Sequence, residues 1–353
     1  MFRRVCAHIN LEAITHNLGV VKSCAPKSKV LSIVKANAYG HGLNVCLPAF
    51  EAHSDALGVA CLEEAAELRA LGAKKPIVCM EGCASKAAVD WCQKNHVQPV
   101  VHRLAQLALL ESPMVIWIEV DTGLHRLGLL PEEVSEALKW LKKNPHITVM
   151  CWFSHFSDAE SELNSKSRIQ MARFEEACGD IVGDKGLAQS MATLHLPKTH
   201  YQWVRPGLML YGVSPVVGKT GADFGLKPVM TLTAPLIAKR SLRAQESVGY
   251  GSTWVTDERG ATIGTVAMGY GDGYPWRISP NTLVEIGGKK VPIVGRISMD
   301  SMMIDLTAYP EVALDSQVTL WGPSLPVEIL AEQSGVIPYV LLTALTWRVR
   351  REA

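Results

Sequence analysis

Short apolar runs alternate with helical stretches along the first two-thirds of the chain, and this alternation limits the fold more than any other feature. The runs fall at 30–34, 56–60, 76–80, 99–101, 115–120, 147–153, 191–196 and 204–211. Several are apolar nearly throughout, as strands buried on both faces must be. Helices with readable ends lie between them. The one from Leu62 carries Glu63, Glu64 and Glu67 and stops at Gly72, before Pro76; glycine is the usual residue just past a helix. Pro131 opens another, with Glu132 and Glu133 in its first turn and Lys142 and Lys143 in its last, the charge order that a helix dipole favours. Buried strands separated by helices indicate parallel β–α units, and about eight units over roughly 200 residues predict an α/β fold closed as a (β/α)8 barrel.

Beyond about residue 226 the texture changes. Runs at 230–236, 264–268, 282–286, 291–294, 301–306 and 317–320 are short and rich in apolar or β-branched residues. Gly287-Gly288 reads as a hairpin turn, and Pro235, Pro275 and Pro292 interrupt any long helix. A chain of 353 residues exceeds one ordinary core. The expectation is therefore a barrel over 1–225 and a C-terminal, mostly-β domain over 226–353.

Composition narrows the class. The net charge of +1 gives no reason to expect nucleic acid or a charged membrane surface as partner. No run approaches the roughly 20 apolar residues that span a bilayer, and the basic start has no apolar segment behind it. Nine cysteines, an odd number, fall between Cys6 and Cys178. Cys79 and Cys83 form the only close pair, with no second pair at zinc spacing, so no metal site is expected. Reduced thiols in a cytoplasm, serving mostly as small core hydrophobes, are the expectation.

Lys35 ends the first apolar run and is followed by Ala36-Asn37-Ala38-Tyr39-Gly40-His41-Gly42. A desolvated lysine is a better nucleophile and suits a covalent link to a carbonyl cofactor. Equally, a lysine at a strand end can simply reach water. Other polar residues occupy similar places: Tyr39, Arg126, His155, Ser190 and Arg205-Pro206-Gly207. Each alone reads as a surface or structural group. Together, at the strand ends where barrels place their chemistry, they read as a site.

The motifs resemble the alanine racemase family, of the fold-type III class that uses pyridoxal 5'-phosphate (PLP). The matching segments, in order, are 34–42, 120–128 (Val-Asp-Thr-Gly-Leu-His-Arg-Leu-Gly), Ser154-His155-Phe156, Arg205-Pro206-Gly207 with Leu210-Tyr211-Gly212, 248–254 (Val-Gly-Tyr-Gly-Ser-Thr-Trp), 269–275 and 295–300. They span nearly the whole chain.

This resemblance implies that Lys35 holds PLP and also serves as a base at the substrate Cα, with Tyr250 as a second base on the opposite face. It implies Arg205 beside the pyridine nitrogen, His155 orienting Arg205, and Arg126 near the cofactor's phenolic oxygen. Tyr39, Ser190, Gly207 and Leu208 match phosphate contacts. Arg126 and Met299 match substrate contacts, and Tyr270 part of a narrow entrance. Tyr250, Ser298, Met299 and Asp300 match segments that reach the opposite subunit's site, so a homodimer with shared sites is implied. The implied reaction interconverts L-alanine and D-alanine, for wall-precursor supply or alanine catabolism.

Some positions depart from the family. Glu119 stands where many relatives have a lysine that becomes carbamylated; it is expected either to pair with Arg126 in the carbamate's place or to serve a purely structural pair. Gln189 and Met191 flank Ser190 where Asn and Ala are usual, and Glu160 stands where aspartate is common. The end, 347–353, lacks a proline and a nearby tyrosine, so one contact is expected to be missing or supplied from elsewhere. The competing readings are an amino-acid racemase of broader range, a decarboxylase of the same fold, and a non-catalytic PLP carrier. The carrier class lacks a C-terminal β domain.

Overall fold

The computed structural model describes residues 5–159, 165–280 and 282–353. Glu160 therefore lies outside the described residues. The chain forms two large sheets, each of eight strands among the described residues.

The first sheet is the expected barrel. Its strands are β2 (Lys29–Ile33), β3 (Ala56–Val59), β4 (Ile77–Cys79), β5 (Val97–Val101), β6 (Met114–Glu119), β7 (Ile147–Phe153), β8 (Lys185–Gly186) and β9 (Trp203–Val204). Neighbours pair in parallel from β2 through β8, and β2 also pairs with β9. Backbone bonds from Gln202 N to Lys185 O (3.1 Å) and from Arg205 N to Ala188 O (2.8 Å) join the two ends into a closed ring. Inside, Trp117 meets Trp203 edge-on at 5.0 Å and Phe153 at 6.1 Å. Its indole N–H donates to Gln98 at 2.8 Å, which satisfies the one polar atom of that ring.

One expected strand is misplaced. The run 191–196 falls on the helix Ser190–His195 and its C-terminal cap Leu196; the helix's first turn is capped by the Gln189 side chain accepting from Ala192 N at 2.9 Å. The strand of that unit is β8, only two residues long and half polar, so it leaves no apolar run to read. The run 204–211 likewise divides into β9 and the 3-10 turn Leu208–Tyr211.

The second sheet is mostly antiparallel. It comprises β10 (Met230–Leu242), β13 (Ala261–Val266), β14 (Leu283–Ile286), β15 (Lys289–Val294), β16 (Met302–Asp305) and β17 (Gln317–Trp321), which pair in a closed circuit through both halves of β10. A register shift between Leu236 and Ala238 lets β10 serve both neighbours. Gly287 and Gly288 both have positive φ, as the hairpin turn there requires. A small ladder, β11 (Ser247–Val248) with β12 (Trp254–Val255), stands apart.

The extremes of the chain join this second sheet. β1 (Cys6–Ile9) lies antiparallel to β10 and parallel to β18 (Arg350–Glu352). The N-terminal strand thus belongs to the β sheet rather than to the barrel that follows it. Two helices the sequence reading missed, Val327–Ser334 and Pro338–Ala344, pack on each other, and the second also packs on the turn after β2. No helix among the described residues is long and apolar enough to cross a membrane.

Candidate active site

Lys35 follows β2 after one residue, Val34, and opens a left-handed turn. Ala36, Asn37, Ala38 and Tyr39 all have φ between 51° and 55°. Such a turn costs roughly 1–2 kcal/mol per residue for side chains with a Cβ, so surrounding contacts must hold it. Glu64, from the helix Leu62–Ala70, accepts from Ala36 N at 2.6 Å and from Ala60 N at 2.8 Å. Asn37 accepts from Leu43 N at 2.7 Å. Gly40 packs so closely on the helix Pro338–Ala344 that a Cβ there would lie 1.9 Å from Leu342 O. From the last strand, Arg351 donates to Gly40 O at 3.0 Å. The C-terminal segment therefore braces the turn that carries Lys35.

The turn faces a cavity of about 500 Å³ at the C-terminal ends of the barrel strands. Lys35, Tyr39, Glu119, Arg126, His155, Ser190, Arg205, Gly207 and Leu208 all line it. Burial, reinforced by the Arg126 charge, pulls the Lys35 amine below its ordinary pKa. That favours the neutral, nucleophilic form.

Arg126 reaches the cavity from a loop that folds around one carboxylate. Asp121 Oδ1 accepts from the backbone N–H groups of Gly123, Leu124 and His125 at 2.9, 3.1 and 3.0 Å. Asp121 N to Leu129 O and Leu129 N to Glu119 O, both 2.8 Å, close the loop's base.

Arg205 is buried. Its Nη2 donates to Ser154 O at 2.5 Å, and its guanidinium lies 4.7 Å from the Phe153 ring. Nη1 is buried with no hydrogen-bond partner among the described residues. An unpaired donor of a charged group inside a protein is expensive, and a bound acceptor relieves that cost. Burial lowers the Arg205 pKa to about 10, which leaves it charged at neutral pH. His155 is neutral: burial, with Arg205 next, drops its pKa to about 3. No hydrogen bond links His155 to Arg205 among the described residues; Ser154 holds the guanidinium instead.

Glu119 is 4% exposed. Burial raises its pKa to about 7 against the opposing pull of Arg205 and then Arg126. The expected Glu119–Arg126 ion pair is not formed among the described residues. The stronger of its two arginine interactions is with Arg205.

At the far wall, Ser190 Oγ accepts from Gly207 N at 2.8 Å and from Met209 N at 3.4 Å. A Cβ at Gly207 would lie 2.3 Å from the Tyr39 hydroxyl, so only glycine allows this approach. Tyr39 stacks on Tyr211 at 4.8 Å and meets Tyr339 at 5.9 Å. Tyr339 also lines the cavity, a residue that the sequence reading did not find.

The remaining expected residues lie elsewhere in the chain. Tyr270 N and Gly271 N donate to Ser298 O (3.1 Å) and Met299 O (2.8 Å), which gathers Tyr270, Ser298 and Met299. Asp300 joins them through Arg348 Nη1 at 2.7 Å. Tyr250 opens the 3-10 turn Tyr250–Ser252 between β11 and β12, whose flanking Gly249 and Gly251 lie close to Arg296. None of these five lines the Lys35 cavity within one chain.

A closed parallel barrel with a lysine-centred cavity, followed by a β unit that braces the lysine turn, defines the fold-type III class. Models described as "Alanine racemase, N-terminal domain" and "Alanine racemase, C-terminal domain" match residues 9–215 and 229–353. Alanine racemase of Vibrio parahaemolyticus is 44% identical over 353 residues, 98% of each chain. That of Haemophilus influenzae is 42% identical, covering 98% of this chain and 97% of the relative. The solved biosynthetic alanine racemase of Pseudomonas aeruginosa superposes with a TM-score of 0.93 at 38% identity, covering 100% and 99% of the two chains. That of Bartonella henselae, solved with covalently bound pyridoxal phosphate, gives 0.88 at 28% identity over 99% of each. The chain belongs to the alanine racemase family.

Proposed function

We propose that this protein is a PLP-dependent alanine racemase that interconverts L-alanine and D-alanine. The observation that carries the cofactor is Arg205 Nη1, a buried donor with no hydrogen-bond partner among the described residues, in the same cavity as a lysine of lowered pKa. The cavity fits PLP. Lys35 would hold it covalently, Arg205 would meet the ring nitrogen, and Tyr39, Ser190 and the Leu208 amide would receive the phosphate, joined by the Gly207 amide once it exchanges Ser190 Oγ for a phosphate oxygen. When bound, the cofactor acidifies the substrate Cα–H by withdrawing electrons into its ring.

The chain's own groups do the rest. Arginine does not give up its proton at working pH, so Arg205 keeps the ring nitrogen from being protonated and limits how far charge is drawn from Cα. Lys35 Nζ takes or returns the Cα proton on one face. Tyr250 Oη does so on the other. Arg126 positions the substrate, and Glu119, drawn more strongly to Arg205 than to Arg126, supplies a carboxylate in place of a carbamate. Tyr250, Ser298, Met299 and Asp300 complete the site of a second copy of this chain, with Tyr270 at its entrance. In this reading, 1–225 supply the cofactor half and 226–353 the facing half of each shared site. The wide exposure of Tyr250 and Met299 supports it, because both offer a surface that a second copy of the chain can cover. The nine free thiols support a cytoplasmic location.

The test is the visible spectrum of the purified protein followed by solvent-deuterium exchange at Cα of each alanine enantiomer. A yellow protein that labels both enantiomers is expected. Labelling of neither would overturn the proposal.

A further inference from the structure

One group of metal-ligating side chains lies outside the cavity, where the two ends of the chain meet. Cys6 and His8 are two apart on β1, so both project from the same sheet face. β18 runs beside them in parallel, with Glu352 opposite His8. Cys6 Sγ is 3.9 Å from His8 Nδ1, and His8 Nδ1 is 3.5 Å from Glu352 Oε1. All three donor atoms lie within 4.8 Å of one another. A tetrahedral zinc ion with sulfur, nitrogen and oxygen ligands has donor–donor edges of roughly 3.3–3.6 Å. Small side-chain rotations would bring the group to that geometry.

A surface His–Glu pair would account for the Nδ1–Oε1 approach alone. It does not account for how the outer atoms are held. His8 Nε2 lies 3.0 Å from Thr233 Oγ1 on β10, which turns Nδ1 toward Cys6 and Glu352. Arg350 Nη2 binds Glu352 Oε2 at 3.0 Å and leaves Oε1 for the group. Metal-bound imidazoles and carboxylates are typically fixed by such outer hydrogen bonds.

We propose that Cys6, His8 and Glu352 form a three-ligand site for a divalent zinc-class ion, with water as the fourth ligand. The ion replaces the Cys6 thiol proton, which leaves to solvent, and the thiolate and carboxylate balance its charge. His8 and Glu352 are partly exposed, so the ion has access. The site ties the first described strand to the last. β18 also carries Arg351, whose side chain holds Gly40 in the Lys35 turn, so the ion steadies that brace at a distance. This inference does not depend on the racemase reading.

The experiment is titration of the full-length, cofactor-loaded, metal-stripped protein with Co²⁺, followed by difference spectroscopy. The wild type is expected to show a thiolate-to-cobalt charge-transfer band that saturates at one equivalent and is displaced by Zn²⁺. Cys6→Ser, which keeps the other eight cysteines, should lose the band. Thr233→Val should weaken Co²⁺ binding by about 10-fold through the outer bond alone. Absence of the band in the wild type, or an equal band in Cys6→Ser, overturns the site. If Cys6→Ser folds poorly, His8→Ala decides: unchanged Co²⁺ affinity there also overturns it.

Discussion

Lys35 and Arg205 line one walled cavity at the barrel's strand ends; Tyr250 and Met299 stand 71% and 51% exposed, outside that cavity. The first region has paid the desolvation of its charged groups, and their pKa values show it. The second stands in the open and acquires a chemical role only against another surface. Cofactor binding and proton transfer should therefore separate on mutation. The barrel variants should disturb both, and the exposed variants only the second.

The largest effect is expected from Lys35→Ala. It should abolish the visible cofactor band and reduce racemisation by at least about 10⁴-fold, the upper range for losing a positioned base. Tyr250→Phe should keep the cofactor band but reduce turnover by roughly 10²–10⁴-fold, measured with each enantiomer in a coupled assay. A colourless Tyr250→Phe would erase the distinction between the regions.

A smaller effect concerns Glu119 and His155, which should bend the pH profile of apo-protein stability in opposite directions. The Glu119 pKa rises from 4.5 to about 7, so the native state holds the extra proton and its contribution is lost as pH climbs through that window. The His155 pKa falls from 6.5 to about 3, so its contribution grows with pH between those values. Glu119→Gln should remove the first trend, worth on the order of 3 kcal/mol across the window, and leave the second. Thermal melts from pH 4 to 8 read both; an unchanged profile in Glu119→Gln would show that its carboxyl is not desolvated.

The smallest effect is expected from Glu64→Ala. It frees the N–H groups of Ala36 and Ala60, costing about 1–2 kcal/mol, and should appear as weaker PLP retention on dialysis with little change in Tyr250-dependent exchange.

Most of the barrel was legible because buried parallel strands need apolar runs. β8 was not, because Lys185–Gly186 is too short to leave one. β1 and β18 were illegible for another reason: each finds its partner at the opposite end of the chain, and no local period records that. The same distance hides the Cys6–His8–Glu352 group from any search for close ligand spacing. Within the site, strand-end positions brought nine expected residues to one cavity. The turn's left-handed form was not legible, since Ala36, Asn37, Ala38 and Tyr39 carry side chains that disfavour it and tertiary contacts impose it. Glu64 read as an ordinary first-turn acid, yet it also holds that turn. Tyr339 supplies a tyrosine beside Tyr39 from an unforeseen helix rather than from the tail.

Mixing Lys35→Ala with Tyr250→Phe subunits, each inactive alone, tests the shared-site account most directly. Random reassortment into two-fold dimers should restore about a quarter of wild-type activity, because half the dimers regain one intact site of two. No recovery under conditions in which subunits demonstrably exchange would contradict it.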